Sequence, residues 1–291
     1  MNAKPRRSDG AGKSDLAAGL YVTATPIGHA RDLTLRALDV LAAVDLVVAE
    51  DTRVSANLLA MHGLKRPLSA YNDHNAARER PKLLAWLRQG ARIALVSDAG
   101  TPLVSDPGFK LVRAAIEEDL PVHAVPGPSA ALAALTVSGL PSDRFLFAGF
   151  LPSRQGERRR ALNELSTVGA TLILFESAQR LAESLADMAE IFGVRSAAVA
   201  RELTKLHEEV RRGTLDELAS HYAREGAPRG EMTLVVSPPH PKASDTVRLD
   251  AALEKALALL PLRSAVDLVS ALLEEPRRRV YERALALKID G

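Results

Sequence analysis

From Gly19 onward the chain alternates short apolar runs with stretches of helical spacing. Leu20–Ala24 is an apolar run, Leu33–Val44 has helical periodicity, and Leu46–Ala49 is apolar again. Arg80–Gln89 reads as a helix that stops at Gly90; Ala91–Val96 as a buried strand, Phe109–Glu118 as a helix and Val122–Val125 as a strand. Strand and helix in alternation predict an α/β domain with a largely parallel, helix-covered sheet.

Pro126–Ser142 is rich in Gly, Pro and Ser around an Ala-rich helical stretch and is the candidate join to a second alternating set. There Phe145–Phe150, Thr171–Phe175, Ala197–Arg201 and Glu231–Val236 read as strands, and Leu181–Ile191 and Leu215–Ala223 as helices. Ser237-Pro-Pro-His-Pro241 breaks the periodicity. Beyond it Leu249–Leu259, Ala265–Leu273 and Arg279–Leu287 read as three helices, with Ser264 as N-cap of the second. The expected organisation is a disordered leader over 1–17, α/β domains over 18–128 and 129–240, and a small helical domain over 245–289. The helical domain is either helix-turn-helix-like, with Arg277, Arg278 and Arg279 facing nucleic acid, or a packing appendage whose charges nearly cancel.

Composition removes whole classes of chemistry. The absence of Cys excludes disulfides, thiol catalysis and Cys-based metal or cluster sites. No apolar run is long enough to span a membrane and the N-terminus is polar, which points to the cytoplasm. A net charge of +2 argues against a strongly basic nucleic-acid binder, so any RNA contact must come from local patches.

Ligands of open α/β sheets bind outside the carboxyl ends of the strands. The exits carry Thr23-Ala-Thr-Pro-Ile-Gly28, Glu50-Asp-Thr-Arg53, Ser97-Asp-Ala-Gly-Thr-Pro102 and Pro126-Gly-Pro-Ser-Ala130. Glycine permits close backbone approach, proline fixes loop shape, and carboxylates hold hydroxyl or ammonium groups, which suits a small neutral or cationic ligand. Known alternatives fail on spacing. Gly10–Ser14 resembles the end of a P-loop, but Arg7 stands where its first glycine belongs. Gly127–Ala131 lacks the last glycine of a nucleophile elbow, and His207–Arg211 lacks the second histidine of a zinc-protease helix, so no metal is expected. In the second set, Glu176–Arg180 and Arg201–Glu209 follow strands; Arg180, Arg201 and Lys205 are candidates to neutralise phosphates, and Glu202, Glu208 or Glu209 to accept a proton or hydrogen bond.

The loops Ala24–Gly28, Ala49–Arg53, Val96–Pro102 with Ser105–Gly108, Pro126–Ala130 and Ala200–Glu209 together resemble the small-subunit ribosomal RNA cytidine 2′-O-methyltransferases of the tetrapyrrole-methylase superfamily. The chain departs from that pattern at His29, usually Asn, and at Ala178, usually Pro. The resemblance implies two α/β domains with the cofactor cleft between them, a small C-terminal helical domain, and a homodimer. It further implies that S-adenosylmethionine is surrounded by Pro26, Asp98, Gly100, Ser129, Ala130, Phe175 and Met232, and that 16S rRNA or the small subunit is the substrate, met by Arg53 and the arginines already named. A positioned base is expected for a ribose hydroxyl, and Glu50, Asp51, Glu202 and Lys205 stay open as candidates. Two rivals remain: a tetrapyrrole or precorrin C-methyltransferase, and a non-enzymatic nucleic-acid-binding protein.

Overall fold

In the computed structural model, which describes residues 16–103, 108–239 and 243–289, the first apolar run becomes β1 (Gly19–Thr23), an interior strand of a parallel sheet. The first half continues through α1 (Leu35–Ala43), β2 (Leu46–Ala49), α2 (Thr52–Met61), β3 (Leu68–Ala70), α3 (Ala76–Arg88), β4 (Arg92–Val96), α4 (Phe109–Glu117) and β5 (Val122–Val125). The strand order is β3-β2-β4-β1-β5, with every pairing parallel, so all the strand exits lie along one edge.

Alternation along each strand feeds two cores. Tyr21, Val47, Ala94 and Val96 meet Ala37, Val40, Leu41 and Leu59 on one face. Leu20, Val48, Ile93 and Leu95 meet Leu83, Leu84, Leu87 and Leu111 on the other. Leu16 lies against the first of these cores, and the Tyr21 hydroxyl donates to the Ala17 carbonyl at 2.7 Å. The Gly10–Ser14 segment lies outside the described residues.

The second half contains α5 (Ala130–Ser138), β6 (Phe145–Phe150), α6 (Gln155–Leu165), β7 (Thr171–Ser177), α7 (Leu181–Phe192), β8 (Ser196–Arg201), β9 (Glu209–Thr214), α8 (Leu215–Glu225) and β10 (Glu231–Val236). Its sheet, ordered β6-β7-β10-β8-β9, is mixed, unlike the first: only β6–β7 is parallel. The reason is local. A short turn after β8 reverses the chain into β9, and β10 inserts antiparallel between β7 and β8. One sheet face packs on α6, α7 and α8. The other, through Ile173, Ala198, Ala200 and Val235, packs on Ala131, Ala134 and Leu135 of α5 and on Ile27 from the first half.

Residues 239–289 form a separate compact unit of α9 (Ala243–Leu257), α10 (Leu262–Leu273) and α11 (Arg277–Ile289) around Leu253, Ala265, Val266, Val269, Val280 and Ala284. Ser264 is not the N-cap of α10. Pro261 holds that position, and the helix starts at Leu262 because extended backbone at the proline already turns the chain in.

Helix α6 holds an ion pair where a core residue would sit. Arg158, 1% exposed, donates from Nε to Asp187 of α7 at 2.7 Å, and Asp187 also pairs with Arg159 at 3.1 Å. Removing one member of such a pair leaves the other charge desolvated and without its partner. Arg158→Ala is therefore expected to destabilise the fold by about 3 kcal/mol in urea unfolding, somewhat moderated by Arg159.

Candidate active site

The carboxyl-end loops of the first sheet are stitched to one another before they meet anything else. Thr25 and Gly100 form an isolated antiparallel bridge, with backbone bonds of 2.9 and 3.1 Å, and the Thr25 hydroxyl donates to the Ser97 carbonyl at 3.1 Å. The Thr101 hydroxyl donates to the Pro128 carbonyl at 2.9 Å. Gly100 has φ +80°, and a Cβ there would sit 3.2 Å from Ile27 Cγ2, so glycine answers both to backbone conformation and to a close neighbour.

Ile27 then enters the second half, and the contact is tight. A Cβ on Gly28 would lie 2.5 Å from Lys205 Cγ, 2.7 Å from Thr204 Oγ1 and 2.9 Å from the Leu203 carbonyl oxygen. The His29 N–H donates to Thr204 Oγ1 at 3.0 Å. The turn on the far side is strained, with Glu202 at φ 50° and Thr204 at φ 63°, a conformation costing roughly 1–3 kcal/mol per residue. Side-chain bonds hold it. Lys205 Nζ bridges Glu202 Oε1 at 2.8 Å and Glu231 Oε2 at 2.9 Å, and Glu202 also accepts the Glu231 N–H at 3.1 Å.

Between these rims lies a cavity of about 680 Å³, lined from the first half by Ile27, Asp98 and Ala99 and from the second by Ala130, Phe150, Phe175, residues 176–179, Ala200, Leu203 and residues 227–233. Of the residues expected around the cofactor, Asp98, Ala130, Phe175 and Met232 line this cavity, whereas Pro26, Gly100 and Ser129 are absent from its lining. Pro26 and Gly100 belong to the stitched loops behind it, and Ser129 is the N-cap of α5 without a side-chain capping bond. Phe175 is gripped edge-to-face by Phe147 and Phe150 at 4.9 and 5.5 Å. A bulge makes this possible: the register shifts between Phe147 and Gly149, resetting the alternation of β6 so that both rings meet Phe175.

The candidate bases fall into different electrostatic settings. Asp51 caps α2 and is hydrogen-bonded by Arg53, which pulls its carboxyl down to about 2. Its backbone N–H donates to Asp98 Oδ1 at 3.0 Å, tying the second strand exit to the cavity wall. Glu50 is the opposite case: burial, reinforced by the charges of Asp98, Asp73 and Asp51, pushes its carboxyl above the ordinary value. The hydrogen bond from Lys205 holds Glu202 low against the opposing effect of burial. For Lys205 burial acts downward, but the bonds to Glu202 and Glu231 outweigh it and the net shift is upward.

The arginines expected at phosphates are already paired within the chain. Arg53 binds Asp51 while remaining 88% exposed; Arg180 binds the fully buried Glu176 carboxylate, and Arg201 binds Glu209. Arg277, Arg278 and Arg279 pair with Asp267, Glu282 and Glu275 in the helical unit. Sequence reasoning missed several lining residues, among them Phe150 and the 227–231 turn. Phe150 looks like an ordinary strand residue until the bulge is known, and the Ala-Pro-Arg-Gly turn announces only a loop.

Two α/β halves joined at their loops around such a cleft define a methyltransferase of the tetrapyrrole-methylase type. The pattern of the tetrapyrrole (corrin/porphyrin) methylases matches residues 19–219, and that of the RsmI C-terminal HTH domain matches residues 243–288. The ribosomal RNA small subunit methyltransferase I of Mesorhizobium japonicum is 51% identical over 274 residues, 94% of this chain and 93% of its own. The protein of the same name from Haemophilus influenzae is 41% identical over 279 residues, 94% of this chain and 98% of its own. Among solved structures, a uroporphyrin-III C-methyltransferase from Thermus thermophilus is similar with TM-score 0.55 at 24% identity, over 75% of this chain and 94% of that one. The chain belongs to the ribosomal RNA small subunit methyltransferase I family.

The joint at Gly28 has a direct test. Gly28→Ala leaves no room for the turn in its present position, so it is expected to cost about 1–3 kcal/mol as an overpacking change. Amide hydrogen exchange should quicken at residues 203–205 while the strands of both sheets keep their protection.

Proposed function

We propose that this protein transfers a methyl group from S-adenosylmethionine to the 2′-hydroxyl of a cytidine ribose in small-subunit (16S) ribosomal RNA, with Glu50 as the base. The observation that carries this reading is the pairing of a two-sided cleft with a carboxylate of raised proton affinity one strand away. The cleft volume of about 680 Å³ suits a nucleoside-sized ligand. Its residues fit S-adenosylmethionine: Asp98 offers a carboxylate for hydroxyl or ammonium groups, Ala130, Phe175 and Met232 an apolar bed, and Gly100, Pro26 and Ser129 the loop shapes behind them. When bound, S-adenosylmethionine supplies an electrophilic methyl group.

The protein's own task is alignment and proton removal. Holding the reacting groups together can contribute roughly 7–11 kcal/mol. A ribose hydroxyl needs a base to accept its proton as it attacks, and a base works best when its pKa lies near the operating pH. Glu50 moves in that direction, whereas Asp51 moves away from it, Glu202 is committed to Lys205, and Lys205 holds its proton more firmly than an ordinary lysine. Arg53, Arg277 and Arg278 are exposed, and their surface ion pairs are cheap to exchange for phosphates; Arg279, Arg180 and Arg201 are more enclosed.

The C-terminal match over residues 243–288 favours the RNA reading over a tetrapyrrole substrate. A homodimer is supported by the edge strand β6, whose Phe145, Leu146 and Phe150 are all more than a third exposed. No helix among the described residues is long and apolar enough to cross a membrane, and the cytoplasm, where ribosomal RNA is found, is the proposed location.

Labelled methyl from S-adenosylmethionine should appear as 2′-O-methylcytidine in small ribosomal subunits taken from cells lacking this protein; label confined to a tetrapyrrole would sink the proposal. Glu50→Gln should lower the single-turnover rate by about 100- to 10,000-fold. Because the base must be ionised, the rate falls as pH drops through the Glu50 pKa. Asp73→Asn removes one of the charges that raise it and should move that acid limb to lower pH.

A further inference from the structure

We infer that the turn Tyr71–Asn75, with Arg80 behind it, is the subsite that receives the phosphate and base of the nucleotide whose ribose is methylated. The inference rests on the RNA-methylation reading and extends it to residues with no role so far. The sheet itself sets the placement. Strands β4, β2 and β3 are neighbours running in one direction, so their exits line up, with Ser97–Gly100 at the cavity, Glu50–Asp51 beside it and Tyr71–Asn75 beyond. Hydrogen bonds fix the row, from the Asp51 N–H to Asp98 Oδ1 at 3.0 Å and from the Tyr71 N–H to the Ala49 carbonyl at 2.8 Å. Glu50 follows β2, the middle strand of the three, and so stands in the row between the Ser97–Gly100 loop and this turn.

The turn is preformed. The Asn72 N–H donates to Asn75 Oδ1 at 2.9 Å, Asn75 Nδ2 to the Ala70 carbonyl at 2.9 Å, and the His74 N–H to Asn72 Oδ1 at 3.2 Å. The asparagines are spent on the backbone. The side chains of Asp73 and His74 are left exposed, bonded to no described residue. Tyr71 itself, 1% exposed, packs among Leu83, Leu84 and Leu87 in the core of the first half and so anchors the turn from within, while Arg80 stands on α3, which starts directly after the turn. Arg80 forms no ion pair with a described residue, although Arg78 and Lys82 on the same helix both pair with Glu79. An unneutralised guanidinium suits a phosphate, an exposed imidazole can stack on a base, and a carboxylate can accept from an exocyclic amine.

Three measurements on the full-length protein test this: affinity for S-adenosylmethionine by calorimetry, KM for unmethylated small ribosomal subunits, and Tm. Arg80→Ala should raise KM at least tenfold with cofactor affinity within twofold of the unchanged protein, and Arg80→Lys should recover part of the loss. His74→Ala changes an exposed side chain bonded to no described residue, so it should leave Tm unchanged while KM increases several-fold. A merely structural residue would not separate those two readouts. KM values within twofold of normal for both Arg80→Ala and His74→Ala would overturn the inference, as would a proportional loss of cofactor affinity. Failure of the unchanged protein to methylate the subunits at all would overturn the parent reading and this one with it.

Discussion

The loop after β1 and the turn after β8 approach so closely that only a hydrogen fits on the facing α-carbon of Gly28. That contact determines where the two sheets stand. Ile27 is carried into the core of the second half, and Lys205, lying over the glycine, ties together Glu202 and Glu231. A larger residue at the joint would push the rims apart and change the width of the space between them. The positive φ angles of Glu202 and Thr204 belong to the same constraint, since the turn must reverse sharply to meet the loop and still start β9.

Lys205 and Asp51 show how charged strand-exit side chains can be held by partners within the chain. Both stand in charged strand-exit motifs, and both turn out to be committed, one to a pair of carboxylates and the other to the start of α2. Glu50 is distinguished from them only by tertiary surroundings: partial burial and three acidic neighbours drawn from three different strand exits. Those surroundings follow from sheet order, which brings residues 50, 73 and 98 into one neighbourhood.

The first half was legible because nearly every strand there is an unbroken apolar run, as burial on both faces demands. Short β3 and polar-faced α2 escaped, since three half-buried residues give no period and Thr52–Met61 buries only Ser55 and Leu59. In the second half α6 was invisible because Arg158 occupies a core position that apolar periodicity would assign to leucine. Strand β9, Glu-Val-Arg-Arg-Gly-Thr, was hidden because it is a half-exposed edge. The cavity loops could be named from their glycines, prolines and acids, but the aromatic wall depended on a bulge and the Tyr71–Asn75 turn on strand order, neither of which local patterning contains.

The parallel architecture of the first sheet also bears on how the chain is made. Strand β1 pairs only with β4 and β5, so its first partner begins at Arg92. At roughly 5–20 residues per second of synthesis, the apolar Leu20–Val22 segment waits several seconds before any strand exists to pair with it. During that interval the nascent chain holds an unpaired edge destined for the middle of the molecule. The order of translation therefore leaves the strand at the middle of the first sheet among the last of the early segments to be secured.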